Sequence, residues 1–176
     1  MSTETPDAIA LLKADHRLVA GLFEQFEAAK SDDKKLALVK QICTELTIHT
    51  LIEEEIFYPA CKAKVEEDSL DEAYVEHDGA KMLIAELINS TPDEDFYDAK
   101  VTVLSEEITH HVKEEEAPAD GLFAQARKAG LDMDALGDKL RARKEALKAQ
   151  IEAKGLPVQK TRTLKGAPVE RAEPVA

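Results

Sequence analysis

Ile48-His49-Thr50-Leu51-Ile52-Glu53-Glu54-Glu55-Ile56-Phe57-Tyr58-Pro59 is the stretch whose reading decides the fold. Through it and ahead of it, Ile42, Leu46, His49, Glu53, Ile56 and Ala60 recur in alternating steps of four and three. That is the period of a helix face turned into a bundle. The stripe stacks a histidine and a glutamate one turn apart on the inward side, where polar groups are costly unless paired. Three other predicted helices carry the same kind of polar intrusion. One buried metal site accounts for all of them.

Outward from this segment the chain reads as a series of helices. The first spans about Asp7–Ala29, opens at Thr5-Pro6-Asp7 and turns inward Ile9, Leu12, His16, Val19, Phe23 and Phe26. The second spans about Asp33–Lys64, capped at Ser31-Asp32-Asp33, and Pro59 is expected to kink or tighten it. The third, about Leu70–Asn89, has the stripe Leu70, Ala73, His77, Ala80, Ile84 and Leu87. Asn89-Ser90-Thr91-Pro92-Asp93 is a loop signal, and a fourth helix follows over about Asp95–Glu116. After a break at Ala117-Pro118 a helical segment reaches about Ala129. A fifth helix, Asp134–Lys154, carries sparse apolar positions at Leu136, Leu140, Leu147 and Ile151 and reads as an amphipathic strap.

The predicted class is all-α: an antiparallel up-down four-helix bundle over residues 1–129, a C-terminal helix packed on it over 130–155, and a disordered tail over 156–176. His16 and His49 lie at similar distances from the turn between their helices, as do His77 and His111. Antiparallel neighbours therefore bring them to similar heights.

Bulk properties agree. The chain has 176 residues, 44% of them apolar, with only seven Gly, seven Pro and no Trp, so its interior is free to run in long helices. A net charge of −13 argues against nucleic acid and anionic membrane surfaces as partners. No apolar run approaches the ~20 residues that span a bilayer. Met1–Asp7 is polar and lacks a signal-peptide core, which makes a cytoplasmic location the expectation. Cys43 and Cys61 fall on one predicted helix roughly 27 Å apart, beyond disulfide reach, and are expected as reduced thiols in the core.

The fourth helix offers two His-xxx-Glu pairs, His110/Glu114 and His111/Glu115. The stripe Val101, Leu104, Ile108 continues in step to His111, Glu115 and Leu122, whereas the competing face, Val103, Glu107, His110, Glu114, is already half acidic. His111 and Glu115 are therefore expected inside and His110 toward solvent. The inward set is His16, His49, Glu53, His77, His111 and Glu115. Left without a metal, these groups would cost several kcal/mol per unpaired member in a dry interior. Imidazoles and bridging carboxylates suit iron, manganese or zinc, and four histidines favour iron over manganese. No nucleophile elbow, phosphate-cradling glycine loop or Cys-rich zinc box competes.

Ala14-Asp15-His16-Arg17, His49 to Pro59, Glu76-His77-Asp78 and His110 to Glu116 together resemble the signature segments of hemerythrin-like, His/His/Glu cation-binding domains, over roughly Ile9 to Pro118. The resemblance implies a four-helix bundle holding two non-heme iron ions, oxo- or hydroxo-bridged. His16, His49, His77 and His111 would be terminal ligands, with Glu53 and Glu115 as bridges. Members of the family bind dioxygen reversibly, sense oxygen, nitric oxide or iron, or act in repair, detoxification and stress response. Oxygen carriers among them have a second histidine one turn after the first on the third helix. Here that position is Lys81, which implies an open coordination position at one iron. Lys81 either places a cation near a bound anion or snorkels to solvent. Tyr74, one turn before His77, is the leading candidate for a phenol beside the site, ahead of Tyr58 and Tyr97.

Three functions remain open at this point. One is a di-iron protein that binds or senses dioxygen or a related diatomic or reactive species. Another is a di-iron enzyme for peroxide or nitric oxide, and the third is a metal-free helical scaffold.

Overall fold

Side-chain caps and apolar stripes set where the chain coils. A computed structural model describes residues 5–167, 169–170 and 172. Helix α1 (Ala8–Ala28) is capped by Asp7, whose carboxylate accepts from the Ala10 N–H at 2.8 Å. Helix α2 begins at Asp32, capped by the Ser31 hydroxyl, and runs as an α-helix over Asp32–Ile52. It then opens into a wide π-turn, Glu53–Phe57, and closes with the α-turn Tyr58–Cys61. Helices α3 (Glu67–Leu87), α4 (Tyr97–Glu115), the short α5 (Leu122–Lys128) and α6 (Met133–Lys154) follow. The described residues contain no strand.

Of the two distortions expected at Pro59, a kink or a tightening, the second does not occur: the turn before it widens. Proline has no N–H to donate, and its ring crowds the carbonyl four residues back. The Tyr58 N–H instead bonds the Glu53 carbonyl, one residue farther than α-geometry would take it. Hydrogen bonding survives in an expanded turn, a form of irregularity frequent at functional sites.

Two apolar clusters fill the bundle. One joins Leu12, Ile48, Ile52, Phe57, Tyr58, Leu70, Ala73 and Phe123. The other joins Val19, Phe23, Ile42, Leu46, Ala80, Ile84, Val101 and Leu104. Along α1 the chain passes from the first cluster to the second; α2 reverses that order, α3 repeats it, and α4 starts in the second, with the chain returning to the first at Leu122 and Phe123 of α5. The alternation is the antiparallel up-down topology read from its core. At the crossing between clusters each helix contributes polar residues: His16, then His49 and Glu53, then His77, then His111 and Glu115.

Helix α6 packs across α1 and α2. Its leucines at 136, 140 and 147 join the first cluster, and Leu140 is fully buried. So α6 adds to the core along one narrow stripe. It crosses the start of α1 at Gly137, where an added Cβ would meet the Ala8 nitrogen at 2.9 Å and the Pro6 oxygen at 3.0 Å. Backbone cannot swing aside as a side chain can. Gly137→Ala is therefore expected to cost about 1 kcal/mol net, overpacking of ~1–3 kcal/mol exceeding the helix-propensity gain of about 1 kcal/mol. A urea midpoint equal to that of the unaltered chain would show that α6 lifts freely.

Residues 157–164 fall within the stretch whose composition predicts a disordered tail, and here they lie along the bundle. The Asp78 carboxylate accepts from the N–H groups of Arg162, Thr163 and Leu164 and from the Thr163 hydroxyl. Arg162 Nε donates to Glu54 Oε2 at 2.6 Å. The composition is polar and poor in apolar residues, so these buried acceptors on α2 and α3, not a core, are what hold the strap. Residues 1–4, 168, 171 and 173–176 of the expected termini lie outside the described residues. Among the described residues no helix is long and apolar enough to cross a membrane.

Candidate metal centre

The polar layer brings the six inward residues together. His16, His49, Glu53 and Glu115 offer ligand atoms all within 4.8 Å of one another, and so do Glu53, His77 and His111. Glu53 Oε2 lies 3.1 Å from His49 Nε2 and 3.3 Å from His77 Nε2. Glu115 Oε2 lies 3.5 Å from both His16 Nε2 and His111 Nε2. Each carboxylate therefore sits between one histidine of the α1/α2 pair and one of the α3/α4 pair. His111 is buried, whereas the His110 side chain is 62% exposed, so α4 turns the expected one of its two histidines inward.

The outer ring nitrogens are held by a second set of carboxylates that the sequence reading missed. His16 Nδ1 bonds Glu116 at 2.7 Å, His77 Nδ1 bonds Glu54 at 3.1 Å and His111 Nδ1 bonds Glu76 at 2.7 Å. His49 Nδ1 faces Asp15 Oδ2 at 3.6 Å. Every one of these acids is the immediate sequence neighbour of an inward residue: Asp15 of His16, Glu54 of Glu53, Glu76 of His77, Glu116 of Glu115. One step along a helix turns a side chain by about 100°, from the centre of the bundle to the seam with the next helix. So α1 orients the histidine of α2, α2 that of α3, α3 that of α4, and α4 that of α1. The ring closes on itself. The signal in the sequence was the acidic neighbour at each motif.

Carboxylates only accept, so the three hydrogen bonds place the proton on Nδ1 of His16, His77 and His111 and aim their Nε2 lone pairs inward, while Asp15 faces His49 Nδ1 beyond hydrogen-bond reach. The inner nitrogens then face one another at 3.1 Å, His16 to His49, and 3.3 Å, His77 to His111. Lone pairs so close repel unless something positive lies between them. Glu53 Oε1 and Glu115 Oε2 are buried with no hydrogen-bond partner. Inward imidazole lone pairs plus orphaned carboxylate oxygens form a donor set that fits cations.

Protons take up that role in the metal-free chain. Burial opposes charging His49, but Glu53 and Asp15 outweigh it and raise its pKa to about 10. His77 is raised likewise, burial being outweighed by Glu53 and Glu54. Burial and then the nearby Glu53 charge push Glu115 up to about 7. Burial and the neighbouring His49 take His16 down to about 4. Cation and proton compete for the same atoms.

Two neighbours differ from expectation. Lys81 does not snorkel: it is buried, donating to Glu54 Oε1 at 2.6 Å and Asp78 Oδ1 at 3.1 Å. Its charge balances two buried acids behind His77 and does not point at the inner pocket. Tyr74 is only partly buried and meets the edge of the Tyr58 ring. The phenol at the site belongs to Tyr58, whose Oη is 2.9 Å from Glu115 Oε1, 3.1 Å from His77 Nε2 and 3.3 Å from Glu53 Oε2. It sits five residues beyond Glu53, a spacing that an unbroken α-helix would turn away. The π-turn brings it round. Phe123 of α5 stacks on His16 and closes the end of the pocket, while Tyr97 belongs to the far cluster.

The pattern of the hemerythrin HHE cation-binding domain matches residues 7–119. A crystal structure of a hemerythrin HHE cation-binding domain-containing protein from Mycobacterium kansasii superposes with a TM-score of 0.71 at 23% identity, covering 86% of this chain and 95% of that one. A DNA nickase of Nostoc sp. (strain PCC 7120) is 28% identical over 117 residues, which are 66% of this chain and 32% of the nickase. The chain thus spans about a third of the length of that relative.

Proposed function

Because this chain belongs to the hemerythrin HHE cation-binding family, we propose that its buried cluster holds two non-heme iron ions and binds or senses dioxygen or a related diatomic or reactive species. The observation that carries the reading is the placement of Glu53 and Glu115 between the two histidine pairs. Two carboxylates so placed suit a pair of cations a few Å apart better than a single one. Iron held there would supply redox electrons and a coordination position for a small ligand. His16 and His49 would hold one ion and His77 and His111 the other, with Glu53 and Glu115 shared.

The chain's own residues explain what the pocket admits. Apolar layers on both sides keep bulk water out, so only small molecules suit it. The carboxylate behind each histidine fixes the ring and raises its basicity toward the metal. Burial and the charges of Glu115 and Glu53 hold the Tyr58 phenol well above its usual pKa, which keeps it a hydrogen-bond donor. That donor, aimed at the shared carboxylates, favours a second reading: a di-iron enzyme for peroxide or nitric oxide in which Tyr58 supplies a proton. The nicking activity named for the Nostoc relative is not part of either reading, since this acidic chain repels phosphate.

Metal analysis of iron-loaded protein is expected to give two irons per chain. Optical spectra taken before and after dioxygen, peroxide and nitric oxide separate the readings: a reversible adduct supports binding or sensing, and consumption supports the enzyme. Tyr58→Phe should weaken retention of the ligand, or slow turnover, about tenfold, the worth of one hydrogen bond to a charged group. One iron or none per loaded chain would sink the di-iron proposal.

A further inference from the structure

Outside the buried cluster, Glu76, His110 and Glu114 bring a second set of ligand atoms within 4.8 Å of one another. His110 and Glu114 are one turn apart on α4, with His110 Nε2 3.1 Å from Glu114 Oε1 and 3.6 Å from Glu76 Oε1 of α3. His110 and Glu114 are exposed and Glu76 is partly buried. A surface His–Glu pair alone would mean little. This one stands at the rim of a cleft of about 350 Å³ that also reaches His111 and Glu115. The Glu115 side chain is 2% exposed, and its Oε2 is buried with no hydrogen-bond partner.

Glu76 links the two levels: its Oε2 accepts from His111 Nδ1 at 2.7 Å, while its Oε1 faces His110. Glu72 and Asp120 add negative charge to the cleft, and Lys113 is the one Lys or Arg among its lining residues. A cleft of one sign concentrates ions of the other and speeds their capture. One nitrogen and two carboxylates with solvent on the open side suit a divalent transition-metal ion that keeps some of its water.

We propose that Glu76, His110 and Glu114 form an outer, exchangeable site for a divalent transition-metal cation, from which the buried cluster is loaded through the cleft. The loading role rests on the reading that the buried cluster holds cations; the outer site does not. A cation captured at the rim loses water in stages as it moves toward Glu115 and His111, rather than all at once at a dry pocket.

The test uses the full chain stripped of metal and titrated with Co²⁺ alone, read by elemental analysis and by the growth of the cobalt absorption. His110→Ala and Glu114→Gln are exposed and should fold; Glu76 is left intact because it also orients His111. Expected is a third, weaker equivalent in the unaltered chain that both variants lose. The tight equivalents should remain but fill at least about tenfold more slowly, the low end of what a charged cleft adds to an association rate. Variants that bind the same number of Co²⁺ ions and fill at the same rate overturn the proposal. A His49→Ala control separates the two ideas. If it leaves the tight equivalents untouched, the buried-cluster reading fails and the loading role with it, while the weak equivalent still reports on the outer site.

Discussion

Stripping the cations with a chelator is expected to lower the melting temperature by about 8–16 °C for each ion removed. A ligand present at a thousand times its dissociation constant adds about 4 kcal/mol to the folded state, and a chain of this size shifts by about 2–4 °C per kcal/mol. The structural reason is the company the ions keep. Without them, four inward imidazoles, two carboxylates and a phenol face one another, nearly all of them buried, in a layer between two apolar clusters. The metal-free chain also carries its own pH signature. His49 holds its proton up to about 10, against 6.5 when unperturbed. A histidine that binds its proton more tightly when folded stabilises the fold fully below pH 6.5, and that contribution fades as pH climbs toward about 10. Chelated protein should therefore melt progressively lower from neutral to alkaline pH. Loaded protein should not follow this trend over that interval, since its histidines carry metal instead of protons. Differential scanning calorimetry at pH 7 and pH 9, with and without chelator, reads both effects. Coincident melts under all four conditions would mean that no cation bears on the fold.

What could be read from sequence was what periodicity controls. The stripe through Ile9, Leu12, His16, Val19, Phe23 and Phe26 is buried throughout, and so is Leu70 to Leu87 on α3. The same period separated His111 from His110 one position away. The shortfalls have a common cause. Asp15, Glu54, Glu76 and Glu116 occupy positions a quarter-turn off the stripe, and a single helix read alone cannot tell a seam between helices from open water. Only the neighbouring helix supplies the histidine that gives each acid its place. Lys81 shows the same limit. Its position one turn after His77 was legible, but its partners Glu54 and Asp78 come from α2 and from its own helix one turn back, and without them the readings available were a cation near a bound anion or snorkelling to solvent. Tyr58 was hidden by a different effect, because α-helical spacing turns it away from Glu53 and the π-turn restores it. A proline six residues after a glutamate in a polar stripe was the available hint.

The strap at 157–164 leads to the second large effect. Asp78→Ala is expected to destabilise the protein by about 3–5 kcal/mol, the cost of breaking a buried charge network by removing one partner. Asp78 is fully buried, and besides Lys81 it receives the N–H groups of Arg162, Thr163 and Leu164 and the Thr163 hydroxyl. These contacts hold its carboxyl well below the usual carboxylate range, burial alone acting the other way. Losing it frees the strap and leaves Lys81 with Glu54 alone. Arg162 then leaves Glu54 along with the strap, and Glu54 is the acid that orients His77. Metal affinity should consequently fall about 10- to 100-fold, as it does when the partner of a ligating histidine is disturbed. Asp78→Asn, which keeps an acceptor oxygen and the shape, should lose less on both counts. Arg162→Ala, removing a half-exposed guanidinium but leaving Asp78 and its backbone donors, should loosen the metal with only a small effect on unfolding. The two variants therefore split fold from site: urea midpoints follow Asp78, and cation affinity follows the chain of contacts from Arg162 through Glu54 to His77. Limited proteolysis reports on the strap directly, with cleavage near Lys160 and Arg162 rising in Asp78→Ala. If that variant is cut no faster than the unaltered chain and unfolds at the same urea concentration, the strap is a bystander and Glu54 needs no help from it.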